Sequence, residues 1–247
     1  MNVVYSFATD VTGKRLIEYM PKEFANLPLV LNHGNGEFAE RRVPVLNEAR
    51  AVRLCMDKYR QRKYFKQFSL TYLNLKKKEH VELCRLYLHA GVRLVMKGGM
   101  PMEVVGSTEK FDRWHSKYEF ATVVEDKRFE YRILMFKGRA FRIMCKLNRH
   151  NNFQWKQSNS QFIDVPIDWF GWLYGSRLMK RLKRIVNKMG IDLCGIDLVR
   201  TKQGKFRILE INSGAAMCRK SIRLFYNMFA EMIGMEVKDD TKQSSTG

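Results

Sequence analysis

Two carboxylates and an amide lie close together late in the chain: Asp197, Glu210 and Asn212. They interrupt two apolar runs, GIDLV and RILEIN, separated by Thr201-Lys202-Gln203-Gly204. Such a pattern predicts a hairpin of residues 192–200 and 205–212. If the four-residue turn pairs Arg200 with Lys205, Asp197 falls opposite Ile208, and Phe206, Ile208, Glu210 and Asn212 share its face. The three oxygen-bearing side chains then emerge on one face near one end, with diagonal neighbours roughly 7–8 Å apart. That spacing is too wide for direct contact and suits groups bridged by a cation. Carboxylate and amide oxygens are hard ligands of the kind Mg²⁺ accepts while it carries phosphates. The competing reading pairs both acids with nearby Lys and Arg side chains. Either way a positive partner is required, because bare acids among apolar neighbours are costly to bury.

The elements that must position this hairpin are legible as alternating strand and helix patterns. Residues 2–7 and 28–32 read as short strands, and His33-Gly34-Asn35-Gly36 follows the second, where a parallel sheet puts a ligand-facing turn. Asn47 is placed to cap a helix with apolar positions at Ala51, Val52, Leu54, Cys55, Tyr59, Tyr64 and Phe65. A solvated lysine run at residues 76–78 precedes a helix over about 79–90, and a strand at 92–97 ends in Gly98-Gly99. Residues 128–136 and 139–147 form another hairpin, turning at Lys137-Gly138. Residues 173–189 read as an amphipathic helix with Leu178, Met179, Leu182, Ile185, Val186 and Met189 on one face and basic residues on the other; Gly190 stops it. A last helix spans about 216–233, and the polar tail 238–247 reads as disordered. The chain is α+β.

With 247 residues, 45% of them hydrophobic, the chain can bury one compact core or two small lobes sharing a cleft. Its 45 Lys and Arg against 25 Asp and Glu give a formal net charge of +20. That charge either attracts polyanions, such as nucleotide phosphates, nucleic acid or acidic protein, or is solvated helix surface. Cys55, Cys84, Cys145, Cys194 and Cys218 are scattered, without CxxC or Cys/His spacing, so they read as reduced thiols rather than a disulfide or zinc framework. No signal-peptide pattern or apolar run of about 18 residues is present, so a soluble, cytoplasmic protein without a membrane partner is expected. No Ser/His/Asp or Cys/His triad assembles, which disfavours hydrolase chemistry.

The segment GIDLVRTKQGKFRILEIN, with its 13-residue spacing from Asp197 to Glu210, resembles the carboxy-terminal hallmark of the ATP-grasp superfamily. The resemblance covers most of the chain in order. It implies two α/β lobes with antiparallel sheets clasping ATP, preceded by a truncated N-terminal lobe at residues 1–46. The ATP-grasp region spans 47–237, with a small lobe at about 47–120 and a large lobe at about 121–237. It further implies that Asp197, Glu210 and Asn212 hold Mg²⁺, and that Lys58 (in CMDKYRQRKYF) and Lys97 (in VRLVMKGG) contact the phosphates. Tyr118-Glu119-Phe120 would be the inter-lobe linker, whose backbone reads the adenine edge at Glu119 and Phe120. FEYRILMFKGRAFRIMCKLNRHNN resembles the central hairpin, which assigns Arg132, Lys146 and Arg149 to phosphoryl transfer. Arg149-His150-Asn151 approximates an order familiar from small phage-encoded ATP-grasp proteins, for which the compartment would be the host cytoplasm. His150 has two readings, a proton relay or a hydrogen-bonded loop histidine.

The phosphate-covering loop departs from the pattern. It reads KGGMPMEVVGS, short in glycine, with Gly98 and Gly99 at its start. After Asn212 the chain reads Ser213-Gly214-Ala215-Ala216, small residues that allow a close backbone approach and a helix N-terminus facing anionic substrate. The implied chemistry is an ADP-forming carboxylate–amine ligase with ATP and Mg²⁺, acting on small-molecule or peptide substrates. Two alternatives stand beside it. One is an ATP-grasp kinase, or an enzyme acting on a nucleic-acid-attached substrate, suggested by the basic helix. The other is a non-catalytic nucleotide-binding module, suggested by the short glycine loop.

Overall fold

A computed structural model of the chain describes residues 1–5, 10–38, 42–98, 100–124, 126–147 and 161–235. The first sheet is parallel, in the order β1 (Asn2–Tyr5), β2 (Val30–His33), β3 (Val45–Leu46). Helices α1 (Val11–Glu18) and α2 (Lys22–Ala25) lie between β1 and β2. Asp10 caps α1 by accepting from Gly13 N (2.9 Å), and Leu16 and Phe24 fill the core beneath.

The helix expected from residue 47 onward is broken. α3 (Ala49–Met56) ends at Asp57, whose carboxylate accepts from Tyr59 N and Arg60 N and so starts α4 (Lys58–Gln61). A 3-10 stretch, Arg62–Phe68, follows. Asn47 is no helix cap either. It is buried at φ 59°, donates to Leu193 O (2.8 Å), and accepts from Asp192 N and Leu193 N, so it tethers this segment to the central sheet.

A four-stranded antiparallel sheet has the order β4 (Tyr72–Asn74), β7 (Phe120–Val123), β5 (Leu94–Gly98), β6 (Met100–Val105). α5 (Lys78–His89) and α6 (Thr108–Trp114) cover one face through Val81, Cys84, Leu88 and Phe111, packed on Leu94 and Met96. Alternation sends Lys97 to the opposite face. The stretch expected to be a reduced, glycine-poor phosphate-covering loop is instead mostly β6, paired back on β5 with Gly98 opposite Met100. Val104 and Val105 provide the β-prone run that closes it.

The large sheet is antiparallel in the order β10 (Gln161–Val165), β9 (Arg139–Leu147), β8 (Lys127–Phe136), β11 (Leu193–Thr201), β12 (Phe206–Asn212). Lys137 (φ 48°) and Gly138 (φ 73°) both take positive φ in the β8–β9 turn, as a type I′ hairpin requires. α7 (Ile167–Tyr174) and α8 (Ser176–Met189) replace the single helix expected at 173–189. They are split by Gly175 at φ 80°, ψ 144°, a conformation open essentially only to glycine. α8 buries Leu178, Leu182, Ile185, Val186 and Met189 against Ile133, Met135 and Cys194 on one face of the sheet. α9 (Arg219–Ile233) starts three residues later than expected and packs Phe225 and Phe229 on Phe136 at the other face.

Two expected boundaries move. β7 ends at Val123 and hydrogen-bonds with β4 and β5, so residues 121–123 belong to the sheet of the small lobe rather than to the large lobe. Ala51, Cys55 and Phe65 lie in the same core cluster as Ile196 and Ile211, so the 47–68 segment packs on the large lobe. Four of the five cysteines are buried and free; Cys218 is free and exposed. Among the described residues no helix is long and apolar enough to cross a membrane.

Candidate nucleotide and metal site

The hairpin register differs from the expected one in two places. Thr201 N donates to Lys205 O and Arg200 faces Phe206, one residue out from the expected pairing. A β-bulge between Asp197 and Leu198 then adds a second residue, so Asp197 stands directly opposite Glu210 rather than Ile208. One slip alone would have put Leu209 opposite Asp197 and turned Glu210 into the core. Two slips restore the parity. The bulge also divides the expected face: Ile208 and Ile211 both pack in the core, while Glu210 and Asn212 point the other way with Asp197.

On β11's other side Arg132 is the cross-strand partner of Asp197, so Arg132, Asp197 and Glu210 form a row across three strands. Arg132 grips Asp197 with two bonds, Nε to Oδ1 (2.8 Å) and Nη2 to Oδ2 (3.0 Å). Burial raises the Asp197 carboxyl above its ordinary pKa despite that partner, and the nearby Glu210 and Glu130 charges add to the rise. Glu210 behaves oppositely. Burial opposes its ionisation, but Lys58, Asn212 and Lys97 outweigh that and hold it below the ordinary value.

The break at Asp57 puts Lys58 in the first turn of α4. There its Nζ donates to Asn212 Oδ1 (2.8 Å) and lies 3.3 Å from Glu210 Oε2. Asn212 Nδ2 in turn donates to Glu210 Oε1 (2.9 Å). Lys97 approaches from the small lobe. Burial lowers its pKa, and the Glu210 charge works against that loss. Lys146 Nζ sits 3.1 Å from Glu130 Oε1, and the buried Lys127 donates to Glu130 Oε2 (2.7 Å). The two lysines outweigh burial and keep Glu130 below its ordinary pKa.

Gly98 is at φ 85°, and a Cβ there would come within 2.7 Å of Glu119 Cβ, so only glycine fits. Glu119 and Phe120 do not form the lobe crossing. Glu119 N donates to Lys97 O (3.1 Å) and Glu119 O accepts from Leu75 N (2.9 Å), so the small sheet already uses both backbone groups. Phe120 pairs with Lys97 in β7, its ring 4.4 Å from that of Tyr72. Gly99, Arg149, His150 and the tail 238–247 lie outside the described residues.

Two residues that the sequence offered only as helix positions hold Glu210 in place. Gln61, buried, accepts from Ile211 N (2.9 Å) and donates to Cys55 O (2.7 Å). Arg62 donates to the carbonyl of the bulged Leu209 (3.4 Å), and its guanidinium lies 4.5 Å from the Tyr72 ring centroid. Together they bracket Glu210 along the outer edge of β12. A polar pair following a helix-restarting Asp57 was the available signal. Behind the site His33 bonds Asp10 through Nδ1 (2.9 Å) and reaches Ala215 O through Nε2 (3.3 Å), which docks the first sheet on the segment after Asn212.

Among the described residues no three His, Cys, Asp or Glu side chains converge as a ready metal cage. Two carboxylates and one amide oxygen share the cleft face instead. That donor set suits a hard divalent ion bringing phosphate and water ligands of its own.

The chain shares the mixed helix-and-sheet fold, with antiparallel sheets, of solved ATP-grasp ligases. Among solved structures it is similar to D-alanine–D-alanine ligase from Bacillus anthracis complexed with ATP. The TM-score is 0.66 at 13% identity, covering 95% of this chain and 94% of that one. The macrocyclase MdnC from Microcystis aeruginosa, bound with its precursor peptide, matches with a TM-score of 0.57 at 15% identity, over 76% of this chain and 64% of that one. The ATP-grasp ligase PsnB, complexed with a minimal precursor, gives 0.56 at 15% over 72% and 58%. The chain thus spans less than two thirds of the two peptide-modifying enzymes. No family model and no curated protein matches the sequence.

Proposed function

We propose that the chain is an ATP-dependent ligase that joins a carboxylate to an amine and releases ADP and phosphate. The observation that carries this reading is the cleft-face row Arg132–Asp197–Glu210, with Asn212 and Lys58 at one end and Lys97 facing it. Asp197, Glu210 and Asn212 would hold Mg²⁺, which when bound neutralises phosphate charge. Lys58 and Lys97 would bind the phosphates as point charges. Arg132 and Lys146, now on Asp197 and Glu130, would move part of their charge to the phosphoryl group in flight. Arg149 is assigned with them on the sequence resemblance alone.

In the first step a carboxylate oxygen of the substrate attacks the γ-phosphorus, the bond to the β-phosphate oxygen breaks, and ADP leaves. In the second, an amine nitrogen attacks the acyl carbon of the acylphosphate. Inorganic phosphate departs and the nitrogen loses a proton. Positioning carries much of the rate in such a sequence, so no covalent enzyme nucleophile is required. The ATP-grasp neighbours, which include enzymes bound to peptide precursors and one bound to ATP, support a ligase that takes peptide or small-molecule carboxylates.

The test is ADP release from Mg-ATP across panels of carboxylates with and without amines, read against Glu210→Ala. Release that needs both substrates and disappears in the variant is expected. Release indifferent to every amine would point to a kinase, and none at all to a nucleotide-binding module.

A further inference from the structure

α8 carries a dense block of positive charge. Its sequence SRLMKRLKRIVNKM contains six cations and no acid. Arg177, Lys180, Arg181, Lys183, Arg184 and Lys188 are all exposed. Among the described residues none of the six forms an ion pair, and only Arg181 has a ring partner, lying 5.8 Å from the Phe68 centroid. They supply six of the formal net charge of +20. The opposite face of α8 is locked into the core by Leu178, Leu182, Ile185, Val186 and Met189, so the row is rigid. Arg177, Arg181, Arg184 and Lys188 recur once per turn, about every 5.4 Å.

The preceding helix packs against α8 and leaves two tryptophans in solvent. Trp169 is 67% exposed and Trp172 is 85% exposed. They are three residues apart and so lie on one side of α7. Burying neither indole costs the fold apolar area that it would otherwise gain.

We propose that α7 and α8 form a docking surface for single-stranded nucleic acid, with the α8 cations along the phosphate backbone and Trp169 and Trp172 stacking on bases. The chemistry of the outward face selects this partner. Apart from the cations, α8 exposes Ser176 and Asn187, and the apolar side chains this surface does expose, Ile167, Leu173 and the two tryptophans, all lie on α7. The centre of a protein interface is depleted of charged residues, whereas nucleic-acid interfaces are far more positive. Cations that track a backbone beside exposed aromatic rings are the recurring solution for single strands. The surface lies on the face of the large sheet opposite the cleft, and its assignment does not depend on the ligase reading.

The test is fluorescence anisotropy of the full chain with a labelled single-stranded oligonucleotide of about 16 nucleotides, the upper end of ordinary site sizes. Binding is expected to weaken steeply with salt. The double variant K180E/R184E should bind about tenfold more weakly at ~100 mM salt and flatten the slope of log K against log salt by about 1.4. Trp172→Ala should bind about fivefold more weakly. Both variants keep every core contact of α8, and an unchanged melting profile checks that they fold. Three results would overturn the proposal: no saturable binding at low salt, variants that bind like the wild type, or tighter binding to polyglutamate or phosphatidylserine vesicles than to the oligonucleotide.

Discussion

The cleft face of the large sheet and the outward face of α8 are both rich in cations but hold them differently. In the cleft Lys58 is paired with Glu210, Arg132 with Asp197, and Lys127 and Lys146 with Glu130. On α8 the six cations face water without an acid. Paired charge in a half-buried site fixes geometry, because each group has a partner whose loss would leave the other desolvated. Unpaired charge on a solvated helix fixes little locally and acts at range on whatever polyanion approaches. The cleft should therefore be sensitive to single atoms, and α8 to net charge.

The largest expected effect breaks the cleft. Glu210→Ala removes the shared partner of Lys58, Asn212 and Lys97, and should lower amine-dependent ADP release by about 10²–10³-fold, the scale for losing one preorganised electrostatic group. Steady-state ADP formation reads this out. Neutralising Lys180 should leave the same rate unchanged.

Next in size is the clamp on β12. Gln61→Leu strands the Ile211 amide and the Cys55 carbonyl, each costing about 1–3 kcal/mol if left unpaired. Urea unfolding should register that loss, and the magnesium dependence of ATP binding should shift with it. If stability falls while magnesium dependence stays fixed, Gln61 supports the fold without positioning Glu210.

Acid sensitivity sharpens the comparison further. Glu210 and Glu130 are held below their ordinary pKa in the fold, so each contributes stability that is present above the unfolded value and lost as pH falls through the folded one. Asp197, raised by burial, works against this trend. Stability should decline as pH drops below the ordinary glutamate range, and Glu210→Gln should flatten the decline in a urea–pH series. Charge variants on α8 should leave the curve's shape alone.

The smallest effect has the opposite sign. Lys180–Arg184 and Arg184–Lys188 are like charges four residues apart on one helix, each pair costing about 0.2–0.5 kcal/mol. Arg184→Glu should therefore raise unfolding stability slightly, as measured by denaturant titration, while weakening any polyanion binding.

The sequence carried the chemistry of the cleft further than its geometry. The oxygen-bearing trio was readable because acids inside apolar strands are conspicuous, and its shared face followed from a register wrong by two residues, an even error that preserves parity. Nothing in the composition signals the bulge at Asp197/Leu198, since bulges depend on what the flanking strand and the Gln61–Arg62 clamp impose. In the sequence Lys58 looks like any solvated helix lysine; the helix restart at Asp57 is what turns it toward Glu210 and Asn212. The KGGMPMEVVGS stretch resembles the family's phosphate-covering loop, but its β-prone Val104-Val105 pair favours pairing with β5. The extent of the small lobe is hidden for a similar reason: a short strand such as β7 declares its sheet only through its partners.

On the proposed function, Asp197, Glu210 and Asn212 together would hold magnesium against ATP. Isothermal titration of ATP into the full chain, with magnesium and with a chelator, tests it most directly when repeated on Glu210→Ala. Saturable binding that requires magnesium in the wild type and is lost in the variant is the predicted result. Binding indifferent to magnesium, or equally tight in Glu210→Ala, would contradict it.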